Sequence, residues 1–316
     1  MILITGSAGY IGSHISTYFE KKNIKYIGID NLSYSYKKNI SKNQKHFFFD
    51  ISNKTKLSKL INKFKPSTVI HCAASSYVLE AEKNKDKYFQ NNIIKTKKFI
   101  DICKEYKIKN FIFMSSSNVY KEKLNDKVFS ENNPTSPKNF YGKNKIYIEK
   151  YLKKKSFDNL IILRLFNVIG IFNKRFKPFV FKNKNYQRLI FKILQNYKQN
   201  KITNLNFYKI KKQVKFPARD FIDIKDVSKI INKIIIKISN KKKFFEILNV
   251  GSGQMITIDK IVNQMNMKYC NKLKINLIPI KNKELINTKS SINKLKKFIR
   301  YTPIINLKNS IKSHYE

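Results

Sequence analysis

The chain has 316 residues, 42% of them aliphatic or aromatic, enough for one large α/β unit or two closely joined domains with a real core. No run of ~18 uninterrupted apolar residues is present, and the opening lacks the basic segment and longer apolar run of a secretory signal, so neither a membrane-spanning helix nor a leader is expected. The formal net charge of +46 is almost all lysine and runs along the whole chain; it argues for compositional bias and against a clustered nucleic-acid footprint or a specific nucleic-acid partner.

The first element, Ile2–Thr5, reads as a short buried strand, followed by a turn and an amphipathic helix over Ile11–Lys22. Gly6, Gly9 and Gly12 stand three apart between them. Each glycine has a separate use: a tight turn, close approach of backbone N–H groups to a pyrophosphate, and tight packing of helix on strand. The positive end of the helix then faces the phosphates. A second strand, Lys25–Ile29, leads to Asp30 and Asn31. A carboxylate there accepts hydrogen bonds from ribose hydroxyls and repels a 2′-phosphate, which favours NAD over NADP.

The rhythm continues. Strands are expected at His46–Phe49, Thr68–Cys72, Asn110–Ser115 and Leu160–Phe166, and helices at Lys54–Lys65, Val78–Tyr106 (with a break) and Tyr141–Lys154. Such βαβα alternation predicts a doubly wound parallel sheet, a Rossmann α/β fold, with ligands outside the carboxyl ends of the strands. From 171 to about 216 the pattern weakens, and Pro178 and Pro217 interrupt it. A strand at Phe221–Ile224, an apolar helix at Val227–Ile238 and the run Glu246–Gly253 follow. The expected organisation is a nucleotide-binding domain over 1–170, with contributions from about 218–253, and a smaller interleaved substrate lobe over 171–316.

Tyr141 and Lys145 lie four apart on one face of a helix. A phenol with an ordinary pKa near ~10 is a poor base at neutral pH, and a neighbouring ammonium favours its phenolate. Cys72, Cys103 and Cys270 show no CxxC spacing, which fits a reducing, cytoplasmic setting. Arginine occurs only at 164, 175, 188, 219 and 300, so an arginine inside a motif stands out.

Taken in order, the motifs carry a resemblance. TGSAGYIGSH from Thr5, DNLS from Asp30, Asp50-Ile51, VIHCAA from Val69 and Asn91-Asn92 are followed by MSSSNVY from Met114 and YGKNK from Tyr141. LRLFNVIG from Leu163, ARDFIDIKDV from Ala218 and NVGSG from Asn249 complete the series. Over about residues 1–255 the chain resembles the NAD-dependent epimerase/dehydratase family of extended short-chain dehydrogenases/reductases.

The resemblance implies bound NAD held by Gly6, Gly9, Tyr10, Ile11, Gly12, Asp30, Asn31, Asp50, Ile51, Ala73, Asn92, Tyr141 and Lys145. It implies a catalytic trio of Ser116, Tyr141 and Lys145, and a nucleotide-sugar site using Ser116, Asn167, Arg219 and Lys281. No metal is implied. Dehydratases of the family carry Asp-Glu after the catalytic Ser/Thr; Ser117 and Asn118 stand there, so elimination lacks its acid and epimerisation is favoured. UDP-glucose and UDP-galactose are the leading pair. The alternatives are another NAD-dependent nucleotide-sugar enzyme (dehydratase, decarboxylase or reductase) and a non-catalytic NAD- or polyanion-binding protein. Several positions depart from the family pattern: Ser76, Lys121, Leu165, Gln213–Pro217 and Lys281–Glu284. A homodimer through Val78–Tyr106 and Tyr141–Lys154 is implied by the same resemblance.

Overall fold

The computed structural model describes residues 1–41, 43–121, 128–176, 189–210, 212–239, 243–268, 272–280, 287–304 and 306–314. Seven parallel strands form the central sheet: β1 (Ile2–Thr5), β2 (Tyr26–Asp30), β3 (Lys45–Phe48), β4 (Thr68–His71), β5 (Asn110–Ser116), β7 (Asn159–Leu165) and β12 (Phe244–Val250). The two-residue strand β6 (Val128–Phe129) pairs elsewhere, with β15 (Lys289–Ser290). The order across the sheet is β12-β7-β5-β4-β1-β2-β3. Most of these strands are apolar along their whole length because helices cover both faces. Chain order reverses beside β1, which opens a crevice at the carboxyl ends of β1 and β4.

Each face has its own apolar layer. On one face α1 (Tyr10–Lys21), α8 (Ile224–Ile238) and α10 (Asn293–Ile299) bring Ile15, Phe19, Ile231, Ile234 and Leu295 onto the sheet. On the other, α2 (Lys54–Phe64), α5 (Lys95–Glu105) and α6 (Phe140–Lys153) supply Leu57, Leu60, Phe99, Ile100, Ile148 and Leu152. Each such side chain contributes ~1.5–3 kcal/mol when fully buried. Local signals set the helix ends. Asn53 accepts from Lys56 N at the start of α2, Asn139 from Gly142 N at the start of α6, and Asp223 from Lys225 N at the start of α8. The expected long helix after β4 is broken into α3 (Val78–Lys83), α4 (Lys85–Phe89), a π-helical stretch over Gln90–Ile94, and α5.

The remaining elements gather at the carboxyl edge. β8 (Asn167–Ile169), β11 (Ala218–Asp223) and β13 (Met255–Thr257) form one small sheet. β9 (Thr203–Ile210), β10 (Gln213–Lys215) and β14 (Ile275–Pro279) form another. α7 (Leu189–Lys198), α9 (Ile258–Lys268) and α11 (Leu307–Lys312) pack there through Ile190, Leu194, Ile261, Met265 and Ile311. β12 belongs to the central sheet although it follows β11, so the two parts of the chain interleave.

Candidate active site

A cavity of about 490 Å³ lies at the carboxyl ends of β1, β4, β5 and β7. It adjoins a smaller pocket of about 90 Å³, with which it shares Gly6, Gly9, Tyr34, Cys72 and Ala74. The large cavity takes in Gly6, Gly9, Tyr10, Ile11, Gly12, Ser116, Tyr141, Lys145, Asn167 and Arg219. The small one takes in Asp30, Asn31, Asp50, Ile51 and Ala73. Residues spread over 214 positions of sequence thus line one continuous groove.

The shape of the first turn explains the groove. Gly6 has φ +66°, and a Cβ there would meet the Ala73 backbone N at 2.7 Å. No side chain caps the N-terminus of α1, where Gly9 is the cap residue. The turn is pinned from below: Asp30 accepts from Ala8 N at 3.0 Å, from Leu32 N at 2.7 Å and from Ser35 Oγ at 3.1 Å. Burial raises the Asp30 carboxyl pKa, against those hydrogen bonds. Asp50 behaves oppositely. Burial pushes it up, but the Lys95 ammonium at 2.6 Å and the Ser52 N–H and hydroxyl outweigh this and hold it below its ordinary value. The glycine cradle, the diphosphate-facing helix end and the carboxylate beside the small pocket fit an adenine dinucleotide.

Asn92 has a different position from its companions: it lines neither cavity. Its Oδ1 accepts from Ser75 N at 2.8 Å and its Nδ2 donates to the Ser75 carbonyl at 2.9 Å. Asn91 donates to Ser75 Oγ at 3.0 Å. The π-helical stretch turns both amides onto the Ser75 loop, which itself lines the groove.

Ser116 ends β5, and Tyr141 and Lys145 sit in the first turns of α6. All three are buried and face the large cavity. Lys145 Nζ donates to the Met114 carbonyl at 2.7 Å and lies 5.7 Å from the centroid of the Tyr141 ring. Burial drives the Lys145 ammonium down to about 8, against an upward pull from Cys72 and Glu149. One turn further along α6, Glu149 accepts from Ser115 Oγ at 2.5 Å and pairs with Arg164 on β7 at 2.8 Å. A cation beside a buried phenol favours phenolate, so the pair is arranged for proton abstraction.

Toward the far end the cavity becomes apolar, lined by Leu189, Phe191, Phe221 and Ile258, with Arg219 as its cation. Asn167 donates to the Asp220 carbonyl at 3.3 Å, and Arg219 Nη1 to the Ala218 carbonyl at 3.1 Å. The Asp220 side chain is fully buried and accepts from the N–H and hydroxyl of both Ser252 and Ser290 and from Gly253 N. That knot fixes β11 and presents its neighbour Arg219 to the groove. Lys281 lies outside the described residues. Tyr34, Ser75, Tyr77 and Asn118 line the cavity without having been expected there, as does His314 beyond α11. Among the described residues no cluster of His, Cys, Asp or Glu can hold a metal, and no helix is long and apolar enough to cross a membrane.

Comparison with known proteins agrees with this arrangement. The family model of the NAD dependent epimerase/dehydratase family matches residues 2–251. The bifunctional protein gal10 of Schizosaccharomyces pombe is 36% identical over 54% of this chain and 26% of its own length. A UDP-glucose 4-epimerase of Halalkalibacterium halodurans is 33% identical over 54% of this chain and 51% of its own. These matches therefore span about a quarter to a half of the relatives' lengths. An uncharacterized UDP-glucose epimerase of Bacillus subtilis, YtcB, is 31% identical over 98% of this chain and 95% of its own. Among solved structures, the UDP-Glc/GlcNAc 4-epimerase of Campylobacter jejuni superposes with a TM-score of 0.83 at 27% identity, covering 99% and 97% of the two chains. A UDP-glucose 4-epimerase shares the fold with a TM-score of 0.89 at 24% identity, covering 99% of this chain and 95% of its own.

Proposed function

We propose that this chain, which belongs to the NAD dependent epimerase/dehydratase family, interconverts epimers of a nucleotide-bound sugar, with UDP-glucose and UDP-galactose the leading pair. The observation that carries this reading is the meeting of Ser116, Tyr141 and Lys145 in one cavity whose other walls are the glycine turn and Arg219. NAD, when bound, would supply the hydride acceptor and donor for the sugar carbon. Gly6, Gly9, Tyr10, Ile11 and Gly12 would hold its diphosphate, and Asp30, Asn31, Asp50, Ile51 and Ala73 would enclose its adenosine.

The residues of the chain do the rest. Tyr141 takes the proton of the sugar hydroxyl and later gives it back. Lys145 stabilises the phenolate and holds the ribose. Ser116 bonds the reacting oxygen. Arg219 grips the substrate diphosphate through a planar, permanently charged fork, with Asn167 beside it and Lys281 adding charge. Asn92 acts at one remove, by holding the Ser75 loop. Ser117 and Asn118 bear no acid, which favours epimerisation over elimination of water.

The supporting experiment is turnover of UDP-galactose with NAD followed by NMR, beside Tyr141→Phe. Appearance of UDP-glucose with the wild type, and its loss in the variant, is expected. Retained NAD with no product from either direction would redirect the reading to another sugar or another reaction of the family. A homodimer is part of the proposal: Phe89 on α4 and Tyr147 on α6 are exposed on the helices that pair in the family. A single species at monomer mass in sedimentation would remove it. The free thiols of Cys72 and Cys103 support a reducing, cytoplasmic setting.

A further inference from the structure

Ser116 is not an isolated hydroxyl. Its Oγ accepts from Asn118 N at 3.2 Å and from Asn118 Nδ2 at 3.1 Å. The first bond is built into the chain, because Ser116 caps the short 3₁₀ turn Ser117–Val119. The second depends on the amide. A serine oxygen has two lone pairs and one proton. With both lone pairs engaged, the hydroxyl has only its proton left to offer.

The turn that makes these bonds is held against the catalytic helix. A Cβ on Gly142, the residue after Tyr141, would fall on the Asn118 carbonyl oxygen and lie 2.7 Å from Pro137 Cβ. Glycine at 142 therefore lets the Asn118 backbone reach α6. The same close approach sets the turn that bears Asn118 beside the residue that follows Tyr141. Asn118 itself lines the large cavity.

We propose that Asn118 is a positioning residue that fixes the Ser116 hydroxyl as a donor to the sugar oxygen, so that the sugar's proton passes directly to Tyr141. The sugar O–H bond breaks as the tyrosine O–H bond forms; Ser116 keeps its own proton throughout. A relay through Ser116 would require Oγ to accept the sugar's proton, and no lone pair is open for it. An amide also neither gains nor loses a proton near neutral pH, so the turn adds no second acid or base. The inference rests on the epimerase reading for its substrate, and on hydrogen-bond geometry alone for the polarity of Ser116.

Two measurements test it. Neutron diffraction from D₂O-exchanged crystals of the wild-type NAD complex should show the Asn118 backbone deuteron and one of its side-chain amide deuterons aimed at Ser116 Oγ and the Ser116 deuteron aimed into the cleft. A Ser116 deuteron aimed at the Asn118 side-chain oxygen overturns the proposal. In turnover, Asn118→Asp replaces a donor by an acceptor of the same shape and should lower kcat by about 10²-fold. Asn118→Ala keeps the backbone bond and should lower it by about 5-fold. KM should stay unchanged in both. Wild-type kcat in the alanine variant, or an aspartate variant no slower than alanine, sinks the idea. Absence of turnover by the wild type would count against the epimerase reading alone, and the neutron map would then decide the role of Asn118.

Discussion

Glu149 on α6 and Arg164 on β7 form a two-bond ion pair, at 2.8 and 3.2 Å, with both side chains almost wholly buried. Arg164 also lies over the Tyr120 ring and donates to the Glu131 carbonyl. The pair ties α6 to the sheet directly behind Tyr141 and Lys145. Removing one partner strands a charge in a dry interior. Arg164→Met should therefore cost about 3 kcal/mol or more in urea unfolding. The double change with Glu149→Met should recover part of that loss. Strict additivity of the two single effects would show that the pair is not coupled.

The basic limb of the activity profile should report Lys145. In the proposed reaction its ammonium favours the Tyr141 phenolate, and burial places its deprotonation at about 8. The charge is present below that pH and lost above it, so kcat/KM should fall as pH rises through about 8. A profile flat to well above that value would disconnect Lys145 from the rate.

Acid should unfold the protein partly through His71. The ring is stacked on Phe99 and Phe113 and bonded to Thr5 Oγ1 at 2.8 Å, and burial together with Lys145 depresses its pKa to about 3. The unfolded imidazole takes a proton from about pH 6.5 downward, whereas the folded one stays neutral. Stability attached to His71 is thus complete above that value and declines as pH falls toward 3. Between pH 6.5 and 5 the loss is about 2 kcal/mol. His71→Phe should show that much less acid sensitivity in denaturant midpoints; equal sensitivity of the two proteins would refute the assignment.

Arg219 should discriminate substrate from cofactor. Replacement by Gln removes a charged donor from the far end of the groove and should weaken UDP by about 10- to 100-fold. NAD affinity should not change. Calorimetry with each ligand separately checks this, and unchanged UDP affinity would place the diphosphate elsewhere.

Much of the nucleotide half is legible in the residues. β1, β4 and β5 begin where the apolar runs begin, and the expected trio and glycine turn line one cavity. These features depend on local pattern, which a sequence displays. Asn92 shows the limit: its neighbours suggest a ligand contact, while its amide is engaged by the backbone of a loop 17 residues away. His314 reaches the cavity from the opposite end of the chain and accepts from Gly170 N at 2.8 Å, a pairing with no local signal. The region after residue 170 is the least readable part. Of its strands β10 and β14 are exposed on both faces, and abundant Lys and Asn blur any period.

The late arrival of β12 bears on how the chain is made. β12 pairs along the whole of β7, yet about 80 residues separate the end of one from the start of the other. At roughly 5–20 residues per second, β7 waits roughly 4–16 s on the ribosome before its partner emerges. During that interval an apolar strand edge stands open to any passing strand. The last edge of the central sheet is thus closed only after β8 to β11, α7 and α8 have been translated, and its completion depends on a strand made about 80 residues after its neighbour.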